Sequence, residues 1–183
     1  MEEQILNNYS TDLHALLKHT SKAIKAQQSS SKLTEEKASN LLHSIDLTIS
    51  KQLETLSGME GLINDGTKSK IKETFAAFTG TIAGAIDTQR EDPISKMLRD
   101  DYTALSMIAT GYTMLYTAAL GAKNNDLADF TKNSLAEIAG LITKTSEVLP
   151  HIVAKELHIE DVAEEAVSNT QECWKPQNMM AEA

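Results

Sequence analysis

The stretch TEEKASNLLHSIDLTISKQLETL, residues 34–56, decides the fold class. Its apolar residues Ala38, Leu41, Leu42, Ile45, Ile49, Leu53 and Leu56 form one continuous stripe, with most steps three or four residues long. That spacing gathers them on one face of an α-helix, whereas a half-buried strand would alternate every second residue. Thr34 stands where its hydroxyl accepts from the first-turn amides, and Glu35 and Glu36 follow at the positive end of the helix dipole. Gly58 is placed to end or kink the segment. Met59, Leu62 and Ile63 add one apolar turn before Asn64-Asp65-Gly66, a strong stop signal.

The same period recurs on both sides. Upstream, Glu2 to Gln28 carries Ile5, Tyr9, Leu13, Leu16, Leu17 and Ile24, and Ser29, Ser30 and Ser31 break it. Downstream, Thr67 to Arg90 carries Ile71, Phe75, Phe78, Ile82 and Ile86 close to a heptad seam, with Gly80, Ala83, Gly84 and Ala85 as small positions that let another helix approach. A fourth segment opens at Asp92-Pro93, with Pro at the first helical position. Leu98, Tyr102, Leu105, Ala109, Tyr112, Tyr116 and Leu120 make its face, and Gly121 is placed as its C′ residue. A fifth opens near Asn125-Asp126, and its stripe is Leu127, Phe130, Leu135, Ile138, Leu141, Ile142 and Leu149, with Pro150 as its end or kink. A short amphipathic helix from Glu160 to Val167 and an extended stretch from Thr170 complete the chain. Short connections between long amphipathic helices favour antiparallel neighbours, so the expectation is an all-α antiparallel helical bundle over 1–168 and a polar tail over 169–183. No repeat of about 33–47 residues points to a solenoid.

Composition agrees. The chain has 183 residues, suited to one domain with a tail, and 41% of them are hydrophobic, enough for a sizeable core. Aromatics at 4%, Gly at 8 and Pro at 3 leave too few turns and strand formers for a β-sandwich, and no glycine-rich loop for a nucleotide fold. A net charge of -9 without a basic cluster argues against a nucleic-acid partner. No apolar run approaches the roughly 20 residues that span a bilayer, so no membrane role is expected. The start Met-Glu-Glu-Gln is acidic where a secretory leader is basic. One cysteine, Cys173, excludes an internal disulfide and fits a cytoplasmic location.

Helical bundles build di-iron centres from a Glu on each of two helices and Glu-x-x-His on each of the other two. No Glu-x-x-His occurs in this chain, whose histidines are His14, His19, His43, His151 and His158. The residual candidates are Asp12, His43, Asp46 and Glu137. His43 and Asp46 share a helix face, Asp12 and His14 point apart, and Glu137 lies beside the apolar stripe. A solvated surface position is the simpler account of each. Asp100 and Asp101 fall in the first turns of the fourth segment, where they satisfy its dipole. Tyr102, Tyr112 and Tyr116 read as rim of the core. No catalytic residue and no cofactor site is expected: Cys173 sits in the tail, far in sequence from every histidine except His151 and His158, and a nucleophilic Cys needs a base and a shaped pocket, while Gly66-Thr67-Lys68-Ser69 lacks the strand and spacing of a phosphate loop. Trp174, in Cys173-Trp174-Lys175-Pro176, is placed to anchor against a groove.

Several strings resemble bacterial ferritin-like stress proteins of the YciE/YciF type. Leu16-Leu17-Lys18 is similar to that family's first helix, and Met59-Glu60-Gly61-Leu62-Ile63-Asn64-Asp65-Gly66 to the segment after its second. Met107-Ile108-Ala109-Thr110-Gly111, leading to Ala118-Ala119-Leu120-Gly121, is similar to its third core helix and turn, and Asp126 to Leu141 to its last. The resemblance spans about residues 9–150. It implies a ferritin-like bundle of four core helices, with Thr67 to Arg90 as an added one. The family's ligand positions on the third core helix fall on Thr103, Ala104 and Ser106. The first-helix glutamate falls on Leu13 or Asp12, and only Glu137 remains in the last helix, which implies a lost di-iron site.

The expectation is thus a non-catalytic, stress-associated, ferritin-like protein that acts by self-association, as a homodimer or larger assembly, or by binding a partner. Gly80, Ala83, Gly84 and Trp174 are its candidate contact residues. One alternative is an iron-binding oxidase or iron-handling protein that uses Asp12, His43, Asp46 and Glu137. Another is a module that captures a protein partner with its C-terminal tail.

Overall fold

The computed structural model describes residues 2–31, 33–59, 62 and 93–174. Five α-helices carry these residues: α1 Glu2–Gln28, α2 Glu36–Gly58, α3 Ile94–Gly121, α4 Asn125–Glu156 and α5 Ala163–Trp174, with a 3-10 turn at Glu160–Val162 before α5. No strand occurs among the described residues. The protein is all-helical, a bundle as the periodicity predicts. Among the described residues no helix is long and apolar enough to cross a membrane. The expected helix from Thr67 to Arg90, with Gly80, Ala83, Gly84 and the Asp92 start, lies outside the described residues.

Helix neighbours and side-chain pairs give the topology. α1 packs against α2 and α3, α4 packs against the same two, and α5 lies on α4. His14 of α1 reaches Ser57 near the end of α2, and Gln27 near the end of α1 reaches Asp101 near the start of α3. Glu35 pairs with Lys155, and Ser95 bonds Glu156, so the starts of α2 and α3 meet the end of α4. Helices α1 and α4 therefore run one way, α2 and α3 the other. In the parallel pair, α2 ends at the opposite end of the bundle from where α3 begins.

The core is aliphatic. Leu13, Leu17, Ile24, Leu41, Leu42, Ile45, Ile49, Leu98, Leu105, Ile108, Leu115 and Ile138 are all buried, and Leu62 joins them from beyond α2. A Cβ on Gly111 would stand 3.1 Å from Leu13 Cδ1, so this glycine sets the close approach of α1 and α3.

The helix ends correct several expectations. Thr34 does not cap α2: Glu35 is the extended N-cap residue and makes no side-chain cap bond. Its carboxylate turns instead to Lys155. Pro93 is the N-cap of α3 rather than its first helical residue, at ψ 156, and its carbonyl accepts from Lys96 at 3.1 Å. Pro150 neither ends α4 nor interrupts it. It removes one backbone donor, but Val148, Ile152 and Ala154 stay buried around it and hold the helix. The last helix is longer than expected. α5 runs to Trp174 instead of giving way near Thr170, because Ala163 is buried, Gln171 bonds Glu147 at 2.9 Å and Glu164 lies 3.8 Å from His151.

Gly121 is not the C′ residue of α3. It is helical, and the left-handed position falls on Lys123, at φ 55. The amide of Lys123 bonds Leu120 O at 3.1 Å and that of Asn124 bonds Ala119 O at 3.0 Å, the paired bonds of a Schellman motif. α4 ends alike: His158 is at φ 58, with its amide on Lys155 O and that of Ile159 on Ala154 O. A left-handed residue with a Cβ carries a cost that glycine avoids. Lys123→Gly should therefore raise stability by about 1 kcal/mol in urea denaturation. Gly121→Ala, with open space around the new methyl, should raise it by roughly 0.5–1 kcal/mol. A loss of stability in Gly121→Ala would show that Gly121 is the residue needing left-handed freedom.

Candidate functional site: two buried polar layers

Two groups of polar side chains enter the dry centre of the bundle. Both occupy positions that heptad spacing assigns to the core. On α3 the buried series is Leu98, Asp101, Leu105, Ile108, Tyr112, Leu115 and Ala119, at alternating steps of three and four. On α4 it is Leu127, Thr131, Ser134, Ile138, Leu141, Thr145, Val148 and Ile152. On α2, Gln52 sits between Ile49 and Leu56.

The first group centres on Gln52, 1% exposed. Its carbonyl accepts from Tyr112 Oη at 2.9 Å, and its Nε2 donates to Glu137 Oε2 at 2.9 Å and to the Ser134 carbonyl at 3.3 Å. Glu137 Oε1 then accepts from Lys51 Nζ at 3.0 Å on the outside of the bundle. One amide thus ties α2, α3 and α4 together and links a buried phenol to a surface ion pair. Burial pushes the Tyr112 phenol well above its ordinary value, and the charge on Glu137 pushes it the same way. The Gln52 bond, helped by Lys51, holds the Glu137 carboxyl below the ordinary range against partial burial. Phe130 meets the Tyr112 ring edge-on, with centroids 6.1 Å apart. This arrangement holds a neutral phenol in a fixed rotamer. It presents no poised nucleophile or base.

The second group is Asp101 with Gln27. Asp101 is 3% exposed, and its Oδ1 accepts from Gln27 Nε2 at 2.9 Å. Burial pushes its carboxyl up to about 7, with the Gln27 bond opposing and the charge of Asp100 adding. Asp101 does not serve the helix dipole as expected. It faces inward, while Asp100 is the carboxylate that pairs with Arg99, at 2.7 Å.

The residual metal candidates lie apart. Asp12 and His43 are exposed. Asp46 lies 3.7 Å from Lys25 and accepts from Ser50, while Glu137 is engaged by Lys51 and Gln52. Among the described residues no three His, Cys, Asp or Glu side chains converge. Of the family's ligand positions, Thr103 is exposed, Ala104 is buried and Ser106 bonds back to the Tyr102 carbonyl. Tyr112 is fully buried, contrary to its expected place on the rim, while Tyr102 and Tyr116 are half-buried. Cys173 is exposed on α5, and Trp174 is that helix's last residue. Gly80, Ala83, Gly84 and the rest of the tail lie outside the described residues.

Gln52, Tyr112 and Asp101 were not among the expected site residues. Their signal in the sequence is a polar residue at a three-four core position. Comparison with protein-family models, with curated proteins and with solved structures finds no match to this chain.

The tie through Gln52 makes a quantitative prediction. Tyr112→Phe leaves the Gln52 carbonyl buried without a donor, and Gln52→Leu strands the Tyr112 hydroxyl. Each should cost about 1–3 kcal/mol in chemical denaturation. The double variant should cost clearly less than the sum of the two, because removing both partners strands neither. Additive losses would show that the two side chains are not coupled.

Proposed function

We propose that this chain is a non-catalytic helical bundle of ferritin-like connectivity, a divergent relative of the YciE/YciF-type stress proteins. It works in the cytoplasm through its surfaces, by self-association or by binding a protein partner. The observation that carries this reading is what fills the bundle's centre. Di-iron proteins of this class bring carboxylates and histidines inward from four helices. Here the inward positions hold Gln52, Tyr112 and Ser134, already bonded to one another, between the buried aliphatics Leu13, Ile49, Ile108 and Ile138. An amide and a phenol with saturated hydrogen bonds, packed in hydrocarbon, stabilise a scaffold and offer no open coordination position.

Connectivity supports the ferritin-like class. A single long crossover between two antiparallel pairs separates such bundles from simple up-down-up-down ones, and here α2 and α3 run parallel, with α2 ending at the opposite end of the bundle from where α3 begins. A surface role is supported by Leu157, Ile159 and Val162, which are 61%, 42% and 41% exposed around the turn after α4. Apolar side chains gathered on a surface are a common mark of contact with another protein.

The test is metal content and solution mass on one sample. The full chain, purified without chelator, is incubated with Fe(II) or Zn(II), desalted and measured by elemental analysis and light scattering. The expected result is folded protein with far less than one metal per chain and a single defined oligomer. Near-stoichiometric metal that falls in His43→Ala and Glu137→Gln would overturn the proposal in favour of an iron-binding protein.

A further inference from the structure

Among the buried polar groups, Gln52 and Tyr112 complete their bonds within the protein. Asp101 and Gln27 do not. After the single bond from Gln27 Nε2 to Asp101 Oδ1, each side chain has one oxygen left over: Gln27 Oε1 and Asp101 Oδ2. Both atoms are buried and neither has a hydrogen-bond partner. Two acceptors left by one amide and one carboxyl match an acid–amide pair that wants one acidic proton. A carboxylic acid and a primary amide form two complementary bonds, N–H to C=O and O–H to C=O, and a single proton on Oδ2 satisfies both orphaned oxygens.

We propose that Asp101 keeps its proton in the folded protein and donates it to Gln27 Oε1, so that the pair latches the C-terminal end of α1 to α3 and releases it as pH rises. Loss of the proton leaves two buried acceptors without a donor, and a buried charge without a countercharge. Among the described residues the charged neighbours are engaged elsewhere. On its own helix Asp100 adds negative charge and is taken by Arg99. On α1, Lys25 is paired with Asp46 of α2, where His43 is exposed. At this end of α4, His151 faces Glu164 of α5, Lys155 pairs with Glu35, Glu147 accepts from Gln171, and Glu156 accepts from Ser95. Among the described residues none is ion-paired to Asp101.

The sign of the pH dependence follows. The unfolded chain releases this proton near the ordinary 3.8, while burial holds it in the folded chain to about 7. The latch therefore contributes fully below the lower value and is lost as pH rises through the higher one. Between them, the unfolding equilibrium constant should grow up to about tenfold per pH unit from this group, then level off.

The experiment is a carbon-13 NMR titration of the aspartate side chains in the full-length chain. It is paired with hydrogen exchange of the last turn of α1 at pH 6 and pH 8, corrected for intrinsic rates. Asp101 is assigned sequentially in the unmodified protein, so its titration needs no variant to fold. The expected result is a midpoint far above those of the other aspartates. Protection of Ile24 to Gln28 should also fall between pH 6 and pH 8, and should stay constant in Asp101→Asn, whose amide has no proton to lose in this range. A midpoint in the ordinary carboxylate range would overturn the proposal outright. A high midpoint with unchanged protection at α1 would overturn the latch, leaving a buried acid uncoupled from the helix. Should Asp101→Asn fail to fold, Gln27→Leu replaces it: with the acceptor gone, the pH-dependent change in α1 protection should disappear.

Discussion

The amide of Gln52 is the constraint on which the bundle's centre depends. Among the described residues, Gln52 bonds two other core helices at once, to Tyr112 of α3 and to Ser134 and Glu137 of α4. In a dry interior, a polar group either finds every partner or costs the full penalty of its desolvation. Gln52 finds them, and this fixes how α2, α3 and α4 are aligned along their length. Sliding α4 by one turn would carry the Ser134 carbonyl and Glu137 away from the amide, and sliding α3 would strand the Tyr112 hydroxyl. Leu and Ile side chains alone tolerate such slips far better, because dispersion contacts are non-directional. The hydrogen bonds therefore choose one register among several that the aliphatic stripe allows.

That division of labour explains which parts of the structure were legible in the sequence. The helices were, since apolar spacing marks a buried face whatever it packs against. α1 ends at Gln28 and α2 at Gly58 as the spacing indicates, and α4 opens behind the Asn124 side chain, which accepts from Leu127 N at 3.1 Å. The exact inward face was less legible. On α3 the two series share Leu98, Leu105 and Tyr112, but between them the apolar one takes Tyr102, Ala109 and Tyr116 where the buried one takes Asp101, Ile108 and Leu115. A search for hydrophobic residues follows the tyrosine, because a half-buried aromatic looks like core and a carboxylate does not. On α4 the same search prefers Phe130 and Leu135 to Thr131 and Ser134. Thr131 and Thr145 are buried because each hydroxyl bonds a carbonyl of its own helix, Leu127 O and Leu141 O, both at 2.8 Å. With its donor satisfied locally, a threonine presents its methyl to the core and behaves as a small apolar residue.

The residue that caps a helix was legible only where its own side chain makes the cap bond. Asn124 does so. The Schellman ends at Lys123 and His158 are set by backbone bonds to Ala119, Leu120, Ala154 and Lys155. Any residue with tolerable strain can occupy them, so a nearby glycine is a poor guide. α4 continues through Pro150 for a related reason. Its next turn is anchored at the far end, where Glu156 receives both the amide and the hydroxyl of Ser95.

The two polar layers also differ in what they allow the bundle to do. The Gln52 layer is saturated, and its one ionised member, Glu137, is compensated by Lys51 and 42% exposed at its side chain. Protonation of Glu137 takes place at the surface, where water screens the change. The Asp101 layer has no such outlet: it is buried, carries no countercharge among the described residues, and is complete only with a proton that solvent pH controls. A saturated layer midway along the bundle fixes the alignment of three helices at every pH. An unsaturated one near the end of α1 confines the pH response to that end, because Gln27 is followed at once by the turn at Ser29–Ser31, where few core contacts hold the chain. Local opening is drawn from such regions. The bundle can therefore respond to pH at one end of α1 and keep its centre intact.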